Sequence, residues 1–391
     1  MNAHGRTLSI RLTHVAGNFP ARIAMPFFCA VPTNTPMHLT EAPPIPTAGP
    51  YYIASNVPGV QTVLKRNPNY AGPRPRRLAE IIYVGGYSSD FGTPQSVARV
   101  IAGETDYVPV VGALEVGGSS LRAKLNRRYG ANSPAAHDGH QQAFLNPTLV
   151  VDALTLNTSR RLFADTRLRR AANYAIDRRA LARLGGFDFA GALTATPTDQ
   201  YLPPGFPGFK DVEIYPLDGD LRKAKHLAGT QRRTAVMYTC DFPPCPQEAQ
   251  LVKRSLAALG ITLETRALPI DTVFRRELSK GEPFDIGLIT WRFDYADPFD
   301  FLNLMFDGNL GVNYAHFDEP AWNQRLEAAA KLSGKQRYRA YGRLDADLVR
   351  RAAPWIAFEN DTRFDFFSAR IGCQTYQPVY GMDLAALCVR R

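Results

Sequence analysis

The sequence lacks a long uninterrupted run of apolar residues. A membrane-spanning helix needs roughly 18 or more of them, and the best candidate, residues 19–32, contains Arg22 and three prolines. Residues 1–10 contain neither the apolar core nor the cleavage site of a secretion signal. We therefore expect no transmembrane helix and no export signal within the chain as written.

Motifs for nucleotide, metal and catalytic chemistry are also missing. No Gly-x-Gly-x-x-Gly or Gly-Lys-Ser/Thr loop is present, which argues against a nucleotide cofactor. The sequence contains no Gly-x-Ser-x-Gly or His-Glu-x-x-His motif. His137 and His140 lie beside Pro134 and Gly139, which favours a solvated loop over a metal site. We expect no cofactor, no metal and no enzymatic activity; an enzyme whose groups converge only in space is the alternative.

Lysine is scarce, with 9 Lys against 37 Arg. The formal net charge of +10 invites a nucleic-acid partner, but the basic residues are scattered among 36 acidic ones. Nucleic-acid-binding domains concentrate their basic residues on one face or in one tract. The basic clusters here are as short as Arg232–Arg233, so we expect no nucleic-acid partner.

The composition is that of a globular protein. Apolar residues make up 45% and charged residues 21% of the 391 residues, close to the average for folded domains. A chain of this length accommodates two or three domains. The five cysteines include no Cys-x-x-Cys pair, so their number alone does not indicate the cellular compartment.

Residues 234–291 carry the clearest secondary-structure pattern. Strands and helices alternate there with short connections, which is typical of a parallel sheet covered by helices. The predicted elements are strand 234–239, helix 246–259, strand 261–266, helix 271–280 and strand 285–291.

Outside this stretch the patterns are weaker. The other predicted strands are 8–13, a hairpin of 51–57 with 61–66, 81–84, 107–111, 154–157 and 355–359. The other predicted helices are 94–101, 166–184 with Asp165 as its N-cap, one through Met305 with Asp297 as N-cap and Pro298 as first residue, and two near 320–332 and 335–351.

The end of strand 285–291 is the candidate binding site. Ligands of open α/β sheets bind outside the carboxyl ends of the strands. Trp291 ends this strand and Asp294 follows in the next loop, and an indole face beside a carboxylate suits a cationic or amine-bearing ligand. The alternative is that Trp291 belongs to the core and that Asp294 is a turn residue. In either case we expect Asp297 to be only a helix cap.

Nearly the whole chain resembles the extracytoplasmic solute-binding proteins of ABC importers, specifically family 5, the oligopeptide/dipeptide-binding type. The matching stretches, in the family's order, are Thr47-Ala-Gly-Pro-Tyr-Tyr52, Leu64-Lys-Arg-Asn-Pro-Asn-Tyr70, Ile101-Ala-Gly-Glu-Thr-Asp106, Leu156-Asn-Thr-Ser159, residues 163–178, Leu202-Pro-Pro-Gly-Phe-Pro-Gly208, Gly281-Glu-Pro-Phe-Asp285 and Trp291-Arg-Phe-Asp-Tyr-Ala-Asp-Pro298.

The resemblance implies an α/β fold of the two-lobed, periplasmic-binding-protein-like type II class. Residues 1–157 would form part of lobe I, 158–361 an inserted α/β lobe, and 362–391 the return to lobe I. Strands near 154–157 and 355–364 would be the crossovers. Family members have further residues before the point that matches Met1, so we expect an N-terminally truncated chain with an incomplete lobe I.

The resemblance also implies a function. In peptide-binding members, the Asp three residues after the strand-end Trp pairs with the peptide's α-amino group, which corresponds to Asp294 beside Trp291. We expect capture of an oligopeptide or similar small solute between two lobes, delivery to ABC permease subunits in the membrane, and an extracytoplasmic location. The alternatives are a cytoplasmic ligand-sensing domain and a non-functional truncated copy.

Two disulfides are expected in an exported member. Cys240 and Cys245 bracket Asp-Phe-Pro-Pro, a turn that can bring the thiols together, and Cys373 and Cys388 would close a loop in the C-terminal segment. Cys29 would remain unpaired. The alternative is five buried free thiols.

Overall fold

The computed structural model describes residues 2–5, 7–35, 45–85, 94–110, 115–116, 119–184 and 195–390. The chain forms two compact units. The larger comprises Met1–Phe27, Leu149–Leu184 and Thr196–Asn360, and the smaller comprises Phe28–Thr148, Gly185–Ala195 and Asp361–Arg391. Residues 1–27 and 149–157 thus group with the larger unit, whereas the predicted lobe I includes them. The lobe boundaries remain a prediction.

The helices follow in chain order. They are α1 (Phe19–Ile23), α2 (Pro94–Ile101), α3 (Leu121–Tyr129), α4 (Pro134–His137), α5 (Arg161–Ala164), α6 (Thr166–Ala175), α7 (Arg178–Ala182), α8 (Leu221–Ala228), α9 (Cys245–Ala257), α10 (Ile270–Glu277), α11 (Phe299–Phe306), α12 (Pro320–Ala330) and α13 (Gly334–Asp347), with a 3₁₀ turn at Pro26–Phe28 and a π-helical turn at Leu348–Ala352. Among the described residues, none of these helices combines the length and apolar character needed to cross a membrane.

The strands are mostly short. They are β1 (Asn2–His4), β2 (Thr7–Ser9), β3 (Tyr51–Val57), β4 (Gln61–Arg66), β5 (Glu80–Val84), β6 (Tyr107–Val110), β7 (Glu115–Val116), β8 (Ser119–Ser120), β9 (Ala143–Leu156), β10 (Thr196–Pro197), β11 (Arg233–Cys240), β12 (Ile261–Leu268), β13 (Ile286–Arg292), β14 (Trp355–Phe367), β15 (Ile371–Gly372), β16 (Tyr376–Gln377), β17 (Gly381–Met382) and β18 (Cys388–Val389).

A mixed sheet forms the centre of the larger unit, in the order β10, β14, β9, β13, β11, β12. β11 pairs in parallel with β12, from Arg233 opposite Ile261 to Cys240 opposite Leu268, and also in parallel with β13. α9 packs on β11 and β12, and α10 on β11 and β13. The predicted parallel β-α-β-α-β unit is therefore confirmed, and β13, which carries the candidate site, lies inside it.

The connections of this unit follow the glycine signals of the sequence. After α9 the chain turns at Gly260, whose φ of 72° lies in the left-handed region that favours glycine. Gly281, with a φ of 80°, plays the same part after α10. Both helices begin and end somewhat earlier than the pattern predicts.

The two long strands are buried more completely than the sequence indicates. Every residue of β9 from Leu149 to Leu156 is buried, and so is β14 from Trp355 to Asn360. Strands buried on both faces show no alternating pattern. In addition, Pro147 and Asp152 interrupt the apolar run of β9, so only its last residues were predicted.

The predicted helix 166–184 is wrong in its length. α6 ends at Ala175 and α7 begins at Arg178. Between them Asp177 is extended, and its Oδ1 accepts the backbone N–H of Ala180 at 2.7 Å. An aspartate that caps a new helix competes with continuation of the old one, so the helix breaks there.

The prediction of a strand at residues 8–13 is also wrong in its position. The structure forms a small hairpin in which Asn2 of β1 lies opposite Ser9 of β2, and residues 10–13 are not a strand. Residues 8–13 are exposed on both faces, so their apolar–polar alternation does not correspond to a buried face.

The smaller unit contains a three-stranded antiparallel sheet, β3–β4–β5. Its first two strands form the predicted hairpin around Gly59, whose φ is 73°. β6 pairs antiparallel with the last part of β14, Tyr107 opposite Phe367. The predicted end of this strand, Val111, lies outside the described residues. A compact core cluster is formed by Val97, Val100, Val108, Leu125, Ala143, Phe364 and Phe366.

Candidate functional site

Trp291 lies near the carboxyl end of β13, where the strand leaves the sheet. The first residues of β13 are buried, and exposure rises at Trp291, which is half-buried. Its Nε1–H donates a 3.0 Å hydrogen bond to the backbone carbonyl of Asp300 in the first turn of α11. The indole is therefore fixed at its polar atom while part of its ring surface faces solvent.

Asp294 lies in the loop that joins β13 to α11. Its side chain is exposed, so its carboxylate is available to a ligand. Its backbone N–H donates a 2.8 Å hydrogen bond to Oδ2 of Asp300. The structure thus places Trp291 and Asp294 on one short segment and ties both to the same residue.

Asp300 was not predicted as a site residue. Its side chain is fully buried. Burial raises the pKa of the Asp300 carboxyl to about 7, and the negative charges of Asp294 and Asp297 add to this effect, whereas the Asp294 N–H opposes it. In the sequence, an acidic residue in the first turn of a helix is common because it favours the helix dipole, so nothing marked Asp300.

Asp297 does more than cap a helix. Its Oδ1 accepts the backbone N–H of Phe299 at 3.0 Å, as expected of a cap, but α11 begins at Phe299 and Pro298 takes the N-cap position. In addition, Asp297 pairs with Arg337 from α13, at 2.6 Å between Oδ1 and Nη2. Its assignment as only a cap was therefore wrong.

Asn18 and Tyr295 fix the same loop to the N-terminal segment of the larger unit. The Asn18 side-chain amide donates to the Tyr295 hydroxyl at 2.9 Å in a buried position. Burial, followed by the charge of Asp300, raises the pKa of Tyr295 well above its ordinary value. Tyr295 therefore stays neutral and acts as a hydrogen-bonding side chain.

The motif at residues 163–178 builds structure rather than a binding site. Arg169 and Arg178 are almost completely buried. Arg169 donates to the carbonyls of Ala352 and Phe163 at 2.6 and 2.8 Å. Arg178 donates to the carbonyl of Ala357 and to Oδ1 of Asn173, both at 2.8 Å. These cations hold backbone carbonyls in place around β14.

The motif ending at Asp285 aligns β13 with its neighbours. Asp285 Oδ2 accepts the backbone N–H of Val236 at 2.8 Å, and Oδ1 accepts Nε–H of Arg160 at 2.7 Å. Nearby, Asn157 donates to the carbonyl of Phe284 at 3.0 Å. These contacts fix where β13 begins, and therefore fix the position of Trp291 near its other end.

In the smaller unit, hydrogen bonds connect two further motifs, residues 47–52 and 64–70. The Asn67 side chain, from the Arg-Asn-Pro motif, donates to the carbonyls of Thr47 and Gly49, both at 2.9 Å. The Tyr51 hydroxyl donates to the carbonyl of Leu78 at 2.8 Å. These side chains therefore stabilise the hairpin and its connections, and this structural role accounts for both motifs without a ligand.

The structure pairs Cys240 with Cys245 and Cys373 with Cys388, with Cα atoms 5.5 Å apart in each pair. Cys29 is free and exposed. The alternative of five buried free thiols predicted that it lies in the interior.

His137 ends the short helix α4, so the predicted loop was wrong for that residue, whereas His140 follows the helix. Nδ1 of His140 lies 3.0 Å from Nη1 of Arg390. The guanidinium of Arg390 would repel a metal ion at this position, so His140 is not suited to be a metal ligand.

The comparison with known proteins identifies the family. A profile described as "Bacterial extracellular solute-binding proteins, family 5 Middle" matches residues 2–311. The chain belongs to this family. The match covers most of the described structure, including β13, Trp291 and Asp294.

Individual members of the family are more distant. The chain is 26% identical over 266 residues, 66% of its length, to a probable di/tripeptide-binding protein 5 of Pseudomonas aeruginosa, of which it covers 49%. It is also 26% identical over 247 residues, 60% of its length, to heme-binding protein A of Haemophilus influenzae, of which it covers 43%. The chain thus spans about half the length of these curated relatives.

The fold agrees with solved structures of this type. Clavulanic acid biosynthesis oligopeptide binding protein 2 superposes with a TM-score of 0.79 and 23% identity, over 97% of this chain and 70% of that one. At this identity the likeness shows the fold alone. It confirms the predicted fold class, a two-lobed α/β periplasmic-binding-protein-like architecture. The roles of Asp294 and Trp291 stay a prediction.

Proposed function

We propose that this solute-binding protein binds peptides or similar amine-bearing solutes, with Asp294 as the anchor for the ammonium group and Trp291 as an adjoining wall. The observation that carries the proposal is the exposed carboxylate on a loop whose backbone is tied down by Asp300. A loop whose backbone is fixed in this way loses little conformational freedom when a cation binds, which favours affinity.

The chemistry of the pair suits such a ligand. An ammonium group forms short, charge-assisted hydrogen bonds to a carboxylate, and the face of an indole attracts cations through its electron-rich ring. Trp291 donates its Nε1–H to the Asp300 carbonyl, so its ring faces, rather than its polar edge, would meet the ligand.

The names of similar proteins support a peptide ligand and leave one competitor. The Pseudomonas relative is described as di/tripeptide-binding and the structural neighbour as oligopeptide-binding, whereas the Haemophilus relative is described as heme-binding. An anionic anchor favours the peptide, whose amino terminus is a cation, because the charged peripheral groups of heme are carboxylates, which Asp294 would repel.

The location and the partner belong to the same proposal. The family is described as extracellular, and two disulfides are typical of proteins in an oxidising compartment. We therefore favour an extracytoplasmic protein that delivers its ligand to ABC permease subunits over a cytoplasmic sensor. Capture of the ligand between two lobes, which the family resemblance implies, stays a prediction.

Calorimetric titration of the full chain with trialanine tests the proposal. We expect Asp294→Asn to weaken binding strongly, Trp291→Ala to weaken it less, and the control Asp218→Asn, at an exposed pair with Arg179, to leave it nearly unchanged. Equal losses for Asp294→Asn and Asp218→Asn would contradict the assignment of Asp294. Binding of hemin that is unaffected by Asp294→Asn, with no binding of trialanine, would contradict a peptide ligand.

A further inference from the structure

Asp300 is bonded to both predicted ligand residues. Its Oδ2 accepts the backbone N–H of Asp294 at 2.8 Å, and its carbonyl oxygen accepts Nε1–H of Trp291 at 3.0 Å. One residue at the start of α11 therefore holds both Trp291, near the end of β13, and Asp294, in the loop that follows.

The Asp300 side chain is an unusual hydrogen-bond acceptor because it is fully buried. Within the residues that the structure describes, its second carboxylate oxygen, Oδ1, has no hydrogen-bond partner, although the nearby Trp291 N–H lowers the pKa of the carboxyl. A buried carboxylate with few donors is costly in its charged form. Burial accordingly raises the pKa of Asp300 to about 7, so the group exchanges its proton near neutral pH.

The charged groups that act directly on Asp300, Asp294 and Asp297, are both acidic. The titratable and charged groups that act on it or on its direct neighbours are Asp294, Asp297, Tyr295, Arg337 and Arg22. Arg337 donates both Nε–H and Nη2–H to Asp297, and Arg22 acts on Tyr295. These two cations therefore serve other acceptors, and the Asp294 carboxylate is the exposed charge next to Asp300.

We propose that Asp300 is a positioning residue of the Trp291–Asp294 site and that it releases its proton to solvent when a cationic group binds at Asp294. This inference rests on the proposed function and deepens it, because it assigns a pH dependence to the same site.

The physical reason is the mutual effect of the charges. A cation at Asp294 neutralises the charge that disfavours ionisation of Asp300, so the ionised form of Asp300 becomes more favourable. The ionised carboxylate is also the stronger acceptor for the Asp294 N–H. Binding and deprotonation therefore favour each other, and reciprocity requires that affinity for a cation rises with pH while Asp300 loses its proton.

Proton release can be measured by calorimetry. Trialanine is titrated into the full chain at pH 6.5 in two buffers of different ionisation enthalpy. We expect the wild type to release a measurable fraction of a proton per ligand, since a group with a pKa near 7 is largely protonated at this pH. Asp300→Asn should release none. Any proton taken up by the ligand's own amine is common to both proteins and cancels in the comparison.

The positioning role has its own measurement. Asp300→Ala removes the acceptor of the Asp294 N–H, and we expect about tenfold weaker binding of trialanine at pH 6.5. Asp300→Asn retains an acceptor oxygen and should recover most of this loss, while losing the rise of affinity with pH. A general structural defect would weaken both variants equally and leave the pH profile unchanged, which would overturn the inference.

A ligand-free measurement keeps the two proposals separable. Tryptophan emission of the wild type should titrate with a midpoint near pH 7, and this transition should be absent from Asp300→Asn and from Trp291→Phe. If trialanine binds through Asp294 with equal proton release in the wild type and Asp300→Asn, this inference fails and the proposed function stands. If trialanine does not bind, the proposed function fails for this peptide, and an emission titration identical in the wild type and Asp300→Asn overturns the inference as well.

Discussion

Asp297 and Arg337 form a bidentate ion pair inside the larger unit, with Arg337 Nη2 2.6 Å from Oδ1 and Nε 2.9 Å from Oδ2. The two side chains are only 2% and 1% exposed. Arg337 Nη1 also donates to the carbonyls of Ala329 and Ala330. The pair therefore ties the loop that carries Asp294 to the helices α12 and α13.

Removal of one partner of this pair should destabilise the larger unit. We expect Asp297→Asn to lower its free energy of unfolding by about 3–5 kcal/mol, because a buried guanidinium loses its counter-charge. The matched control is Asp218→Asn, whose partner Arg179 lies in a pair exposed by 74% and 50%; it should cost less than about 1 kcal/mol. Urea unfolding followed by circular dichroism measures both, and equal losses would contradict the buried-pair account.

Stability should fall as pH rises from about 4 to 7. Burial raises the pKa of both Asp300 and Asp345 from 3.8 to about 7. The folded chain therefore binds more protons than the unfolded chain within this window, and the free energy of unfolding decreases with pH.

The variants Asp300→Asn and Asp345→Asn isolate this effect. Each should flatten the pH dependence between pH 4 and 7, and the two together should flatten it most. Thermal melts at intervals across this range make the comparison. An unchanged slope in both variants would show that these carboxyls are not the titrating groups.

The two disulfides should differ in their effect on stability. In the chain-entropy model, the bond Cys373–Cys388, with a sequence separation of 15, contributes about 3 kcal/mol, and Cys240–Cys245, with a separation of 5, about 2 kcal/mol.

Peptide mapping without reduction should recover both pairs and find Cys29 alkylated. Recovery of any other pairing, or alkylation of all five cysteines, would contradict the structure.

The sheet β3–β4–β5 exposes apolar side chains. On β5, the residues Ile82, Tyr83 and Val84 are 52%, 50% and 49% exposed, so both faces of this edge strand are open to solvent. Exposed apolar edges promote association. We expect the chain to associate as its concentration rises, as measured by sedimentation velocity.

Charge on this edge should reverse the association. The double variant Ile82→Lys, Val84→Lys places two cations on β5 and should shift the chain toward the monomer. Gln61→Lys, on the neighbouring strand β4, adds a charge without removing apolar surface and is the control. Sedimentation that does not change in the double variant would show that association, if present, uses another surface.

The sequence predicts well where local signals agree. In residues 234–291, apolar strands, helix caps and glycines after each helix all indicate the same elements, and the structure contains them. The hairpin around Gly59 has equally local causes. Failures occur where a side chain acts against the pattern, as at Asp177, which starts a new helix, and at Pro147, which conceals the first half of β9.

The site is predicted less completely because its supporting contacts are distant in sequence. Trp291 and Asp294 follow from their place at a strand end and from the family resemblance. Arg337, which holds Asp297, lies 40 residues away, and Asn18 lies 277 residues from Tyr295. No periodicity or motif relates such positions, and the burial that raises the pKa of Asp300 arises only on folding.

The most direct test of the central claim compares trialanine with N-acetyl-trialanine, by calorimetry, on the wild type and on Asp294→Asn. Acetylation replaces the ammonium group with a neutral amide and adds an acetyl group, whose bulk is the same in both titrations. We expect acetylation and the Asp294→Asn substitution each to weaken binding by roughly 2–5 kcal/mol, the cost of losing a pair that the ligand shields from water. Acetylation should weaken binding little further in the variant. Equal losses on acetylation in both proteins would contradict the assignment of Asp294 as the ammonium anchor.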